Sequence, residues 1–101
     1  MTPKTIVDKI WHDHEILVDS ESGDSLLYVD NLLLTDSSSF HAFDQLEKEG
    51  FVVRRPKQVF GVPDHFASSM SRKISDITDP DRAARIGDLE RNCKKWGIYH
   101  F

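Results

Sequence analysis

Residues spaced three and four positions apart form an apolar stripe in three stretches of the chain, and this spacing is typical of amphipathic helices. The first stretch follows Thr2-Pro3. A hydroxyl residue followed by proline is a favourable helix start, so the first helix is predicted to begin there. The second spans Ser39 to Glu49 and stops at Gly50, and the third begins at Asp79-Pro80 and stops at Gly97. The stripes consist of Ile6, Val7, Ile10, Trp11, His14 and Leu17; of Phe40, Phe43 and Leu46; and of Ile86, Leu89, Cys93 and Trp96.

Short apolar runs bounded by turn residues separate the predicted helices, and such runs favour buried strands. The longest is Ser25 to Leu34, which Asp30-Asn31 interrupts, and a second is Val59 to Val62. Phe51 to Arg55 is a short extended piece, and Ile98 to Phe101 looks like the start of another strand. Two or three strands together with three helices predict an α/β fold.

The strand Val59 to Val62 leads through Pro63 into the adjacent pair Asp64-His65. In α/β proteins the carboxyl ends of the strands are where ligands bind and chemistry takes place. A carboxylate next to a histidine can set the tautomer of the imidazole, which suits general acid catalysis near neutral pH. The same two residues also fit a turn with a solvated histidine, so both interpretations stay open on the residues alone.

Three further residues have two interpretations each. Asp30 either forms a turn or bulge by bonding to its own backbone, or orients a group in a site. Cys93 lies on the apolar face of the third helix, which favours packing over a reactive thiol. His14 lies at the edge of the first stripe, and its spacing of two from His12 makes the pair poor metal ligands, because the two side chains project in different directions on a helix.

Composition restricts the class of protein. The 101 residues carry 17 acidic and 13 basic side chains, and a net charge of −4 argues against a general nucleic-acid binder. A single cysteine cannot form an internal disulfide or hold a zinc or iron-sulfur centre by itself. The chain shows neither a signal peptide nor an apolar run of the ~20 residues that a membrane span needs, so we expect a cytoplasmic or organelle-matrix protein without membrane contact.

Six short segments follow one another along the chain: Thr2 to Trp11, Ser25 to Asp30, Ala42-Phe43, Val53 to Pro56, Asp64-His65 and Arg91 to Lys94. In this order and spacing they resemble the N-terminal part of the aconitase superfamily, most closely the large subunit of 3-isopropylmalate dehydratase (isopropylmalate isomerase). The resemblance covers nearly the whole chain. It implies a single incomplete domain over residues 1–101, part of a three-layer α/β/α domain with two or three strands and three helices.

The resemblance also implies a chemistry. Members of the family are hydro-lyases, which move a hydroxyl group between neighbouring carbons of a hydroxy diacid at a 4Fe-4S cluster. The resemblance to 3-isopropylmalate dehydratase implies a role in leucine biosynthesis. Carried over, His65 is the acid that assists departure of the hydroxyl as water, and Asp64 is the residue that orients it. The implied partners are the C-terminal part of the large subunit and a small subunit.

The chain departs from the family pattern at several positions. Phe66 stands where the family has asparagine, and Asn31 stands where it has an arginine that favours diacid binding. Thr35-Asp36 replaces a pair that is commonly His-Glu, which makes a site role at that turn doubtful. The cluster cysteines of the family lie beyond the region that these 101 residues match, and Cys93 matches a helix position instead.

We therefore expect this chain alone to bind no cofactor, to be inactive, and to expose apolar faces that neighbouring elements cover in the family. The alternative is a stand-alone, non-catalytic binding or interaction module derived from the same scaffold, which the replacements at Asn31 and Phe66 favour slightly.

Overall fold

Three α-helices and five β-strands form within residues 2–101, which are the residues that the computed structural model describes. The α/β fold class is confirmed. The elements, in chain order, are α1 (Ile6–His14), β1 (Glu15–Val18), β2 (Ser25–Leu27), β3 (Leu32–Thr35), α2 (Ser39–Glu49), β4 (Val59–Val62), α3 (Pro80–Trp96) and β5 (Tyr99–His100). Short 3₁₀ turns at Pro56–Gln58 and Ile74–Asp76 lie in the connections. The chain divides into two compact units, and the second begins at Asn31.

The first unit consists of α1 and the hairpin of β1 and β2, which pair antiparallel. The predicted start of α1 at Thr2-Pro3 is wrong, because Thr5 and Asp8 form a capping box. The Thr5 hydroxyl accepts from the Asp8 backbone N–H, and the Asp8 carboxylate accepts from that of Thr5. The stripe predicted to reach Leu17 also ends early, since the chain leaves the helix after His14 and Leu17 pairs with Leu26 in the hairpin.

The apolar run Ser25 to Leu34 is not one strand but two, which belong to different sheets. Its first part, β2, pairs antiparallel with β1 in the first unit, and its last part, β3, pairs parallel with β4 in the second. The polar pair Asp30-Asn31 coincides with the boundary between the units. An apolar run by itself does not distinguish these arrangements, because both use the same residue types. The prediction that the run is buried is also wrong, since Leu26 and Leu33 are 53% and 68% exposed.

The second unit is a parallel sheet with strand order β3-β4-β5, with α3 packed against β4 and β5 and α2 packed against α3. The core of this unit lies between the helices and one face of the sheet, and Leu34, Leu46, Val53 and Trp96 pack around it. Cys93 is buried there, which confirms packing as its role, and burial raises the pKa of its thiol. The buried residues of this core are Phe43, Val59, Leu89, Cys93 and Ile98.

The opposite face of the parallel sheet is apolar and exposed. Leu33, Phe60 and Tyr99 occupy one register row across the three strands, and the rings of Phe60 and Tyr99 stack with centroids 5.6 Å apart. Leu33 and Tyr99 both expose more than half of their surface. Parallel sheets normally have both faces covered, so this face is typical of a sheet that packs against further structure.

Gly61 in β4 allows α3 to approach the sheet closely. A Cβ atom at this position would overlap Sγ of Cys93 and lie 3.3 Å from Cδ1 of Leu89.

We expect Gly61→Ala to lower the free energy of unfolding by about 1–3 kcal/mol, because overpacking forces the helix away from the strand. Urea unfolding measures this change. The control is Gly87→Ala in α3, where only the flexible end of Arg91 lies near the added methyl group and alanine favours the helix.

Candidate functional site at the carboxyl edge of the parallel sheet

The carboxyl ends of β3 and β4 meet at one edge of the sheet, because Thr35 and Val62 are register partners. The residues that follow these strands are therefore neighbours in space. Asp36 follows β3 directly, and the loop Pro63 to Phe66 follows β4. This is the edge at which open parallel sheets bind ligands.

Asp36 is the buried acidic side chain at this edge, with no exposed side-chain surface. Its Oδ1 accepts a hydrogen bond of 3.0 Å from the backbone N–H of His65, and its Oδ2 accepts one of 3.0 Å from that of Phe66. The bonded residues are 29 and 30 positions apart in the chain. The sequence made a site role for Asp36 doubtful, because the register that places this residue beside the second loop is a property of the folded sheet.

The imidazole of His65 lies between two carboxylates. Its Nδ1 is 3.6 Å from Oδ2 of Asp64 and 3.7 Å from Oδ1 of Asp36. The His65 side chain is 53% exposed and that of Asp64 is 65% exposed, so the loop presents both groups to solvent. The ring of Phe66 stands edge-on to the imidazole with centroids 6.4 Å apart. The arrangement therefore offers an accessible imidazole with negative charge beside one of its nitrogens.

A groove of about 730 Å³ lies beside this loop in the second unit. Val62 and Pro63 form part of its wall, and Arg72 and Lys73 contribute cationic side chains. Neither cation forms a salt bridge within residues 2–101. Cations beside an apolar wall suit a small organic acid. The remaining wall is formed by Ala67, Ser68, Ser71, Ile74, Ile77, Ile86, Glu90, His100 and Phe101.

Asp30 belongs to the first unit, where it binds His14. Oδ2 of Asp30 is 2.9 Å from Nε2 of His14, and the carbonyl oxygen of Ile10 is 2.7 Å from Nδ1. Both ring nitrogens thus face acceptors, an arrangement that the imidazolium satisfies with two donors. The contact with Asp30 is the largest cause that raises the pKa of His14, followed by that with Ile10.

The raised pKa of His14 predicts a pH dependence for the first unit. The protonated contact stabilises the fold at pH values below about 6.5, the ordinary histidine pKa, and this stabilisation is lost as the pH rises through the raised pKa. An NMR titration of the His14 Hε1 signal measures the pKa of His14 in the folded chain. We expect Asp30→Asn to lower the His14 pKa more than Asp13→Asn does, since Asp13 acts only through space. Equal effects of the two substitutions would contradict the assignment.

The side chains of this chain do not fit an iron-sulfur cluster. Clusters are held mainly by several cysteine thiolates, whereas Cys93 is the one cysteine and its sulfur is packed beneath Gly61. Within residues 2–101 no three His, Cys, Asp or Glu side chains are grouped so that they could hold a metal ion. Ligands for such a cluster would have to come from another polypeptide segment.

Comparisons with known proteins add no assignment: no protein-family model matches the chain, and no solved structure matches it. Across residues 2–101, no helix combines the length and the apolar character that crossing a membrane requires.

Proposed function

We propose that the chain is the N-terminal portion of an aconitase-type hydro-lyase, of the kind represented by the large subunit of 3-isopropylmalate dehydratase in leucine biosynthesis. The observation that carries the proposal is the Asp64-His65 pair at the carboxyl edge of a parallel sheet, at the place in the motif order where the family has its acid pair. The order of the five other matching segments supports the same proposal.

In the proposed reaction His65 protonates the hydroxyl group of a hydroxy diacid, and this group leaves as water while a base from the rest of the enzyme removes the proton of the neighbouring carbon, so that a carbon–carbon double bond forms. Water then adds back with its hydroxyl group on the neighbouring carbon and its proton on the first carbon, which completes the isomerisation and returns both protein groups to their starting states. The exposed imidazole is accessible to a substrate at the sheet edge, and Nδ1 lies within 4 Å of an oxygen of each of the two nearby carboxylates. Arg72 and Lys73 in the adjacent groove are cations that could receive substrate carboxylates.

The chain alone supplies only part of the proposed site. Because its side chains do not fit the cluster of the family, the cluster ligands belong to the rest of the large subunit, and a small subunit completes the assembly. The apolar row of Leu33, Phe60 and Tyr99 supports this view, since such a face is normally covered in α/β domains.

A chimeric enzyme tests the proposal. Residues 1–101 replace the corresponding N-terminal portion of a functional isopropylmalate dehydratase large subunit, which is expressed with its small subunit. We expect the chimera to assemble its cluster and to dehydrate 3-isopropylmalate, with the unmodified enzyme assayed in parallel. A second chimera with Phe66→Asn restores the residue that the family has at this position and measures the effect of that departure.

Two results would contradict the proposal. One is a chimera that folds and carries its cluster but shows no turnover, with or without Phe66→Asn; this result favours the non-catalytic binding module. The other is a stoichiometric iron-sulfur cluster in the isolated 101-residue chain after anaerobic reconstitution, because the proposal assigns the cluster ligands to another part of the protein.

A further inference from the structure

Two carboxylates lie near His65, and they differ in how firmly they are held. Asp36 is fully buried, and both of its oxygens accept backbone hydrogen bonds from the loop that carries His65. Asp64 is 65% exposed, and its oxygen is 3.6 Å from Nδ1 of His65, which is longer than a hydrogen bond. We infer that Asp36, rather than Asp64, is the positioning residue that fixes the orientation of His65.

The two hydrogen bonds to Asp36 act on the backbone. Hydrogen bonds to an ionised group are stronger than those between neutral groups, and burial shields them from competing water. Bonds to the consecutive N–H groups of His65 and Phe66 restrict the peptide plane between these residues. This restriction limits the directions in which the Cα–Cβ bond of His65 can point. Asp64, as the preceding residue on the exposed loop, has no comparable anchor.

The same carboxylate also biases the imidazole. Oδ1 of Asp36 lies 3.7 Å from Nδ1 of His65, about as far as Oδ2 of Asp64 at 3.6 Å. Because the Asp36 side chain is buried and that of Asp64 is exposed, water screens the charge of Asp64 more, and Asp36 is the stronger negative charge beside that nitrogen. In the neutral ring this charge favours the tautomer with hydrogen on Nδ1. Nε2 makes no hydrogen bond within residues 2–101 and is therefore the nitrogen left to exchange a proton with a bound molecule. The catalytic meaning of this arrangement rests on the proposed function, whereas the positioning itself does not.

NMR on the unmodified 101-residue chain gives the first test. We expect scalar couplings across the hydrogen bonds from the backbone nitrogens of His65 and Phe66 to the carboxyl carbon of Asp36. We also expect ¹⁵N shifts of the neutral imidazole that report hydrogen on Nδ1. The absence of these couplings, or a tautomer with hydrogen on Nε2, would overturn the inference without requiring any variant to fold.

Matched variants give the second test, with Asp36→Asn compared against Asp64→Asn. We expect Asp36→Asn to speed hydrogen exchange at the His65 and Phe66 amides at least about tenfold and to shift the tautomer ratio, because a charged acceptor is lost. Asp64→Asn should leave both readouts within about twofold of the unmodified chain, the range of a weak exposed contact. An Asp64→Asn effect equal to or larger than that of Asp36→Asn would overturn the inference. An inactive chimera with these NMR results intact would instead contradict only the proposed function.

Discussion

In the chimeric enzyme, His65→Ala is expected to lower kcat by about 10²- to 10⁴-fold, which is the usual contribution of a general acid. The physical reason is that the hydroxyl group then departs without a proton donor at the sheet edge. The side chain is exposed and outside the hydrophobic core, so its removal should leave the fold intact. Initial rates with 3-isopropylmalate, together with the iron content of each preparation, measure the effect.

The matched control is His12→Ala, since His12 is an exposed histidine that belongs to the first unit, whereas the proposed site residues belong to the second. We expect its rate to equal that of the parent chimera. An active chimera in which His65→Ala retains full kcat would remove the assignment of His65 as the acid. Loss of iron in His65→Ala would indicate an effect on assembly, which the iron content separates from an effect on the chemical step.

The second large effect is expected in the core. Leu89→Ala should lower the free energy of unfolding by about 2–5 kcal/mol, because it removes a fully buried side chain and leaves a cavity. Leu89 is 1% exposed and packs between α3 and the sheet, where its Cδ1 lies against Gly61. A domain of about 100 residues has roughly 5–15 kcal/mol of stability, so this loss is a large share of the total. Urea unfolding followed by tryptophan fluorescence measures it.

Leu33→Ala is the matched control, since Leu33 is a leucine of the same unit that is 68% exposed. Its substitution should change the free energy of unfolding by less than about 1 kcal/mol. Similar losses of unfolding free energy for Leu89→Ala and Leu33→Ala would mean that the exposed face of the parallel sheet, with Leu33, Phe60 and Tyr99, is covered in solution. Such a result would contradict the packing described for the isolated chain.

The helices were the most predictable part of the fold. The predicted range of α2 agrees with the structure at both ends, and Gly50 and Gly97 end their helices in left-handed conformations, as their positions in the pattern indicate. Asp79 caps α3 through its side chain. These features depend on residues within one or two helical turns, so the local sequence contains the information needed to predict them.

The strands were predicted less well, because pairing partners are distant in the chain. The run Ser25 to Leu34 has the composition of one buried strand, yet its two ends belong to sheets of opposite pairing type. The predicted end of α1 was wrong for a similar reason. Leu17 continues the helical stripe in the sequence, but in the structure it pairs with Leu26 in the hairpin. In both cases a tertiary contact outweighed a local preference.

The site likewise has one feature that the local sequence predicts and one that depends on tertiary contacts. The sequence alone determined that a buried strand ends at Asp64-His65, because an apolar run followed by proline, an acid and an imidazole is a local pattern. Only the tertiary structure decided that Asp36, doubted at its own turn, binds the backbone of His65 across 29 positions. The physical reason is that the register of β3 against β4 sets this contact, and register follows from how the strands pair and pack in the folded unit rather than from any short segment.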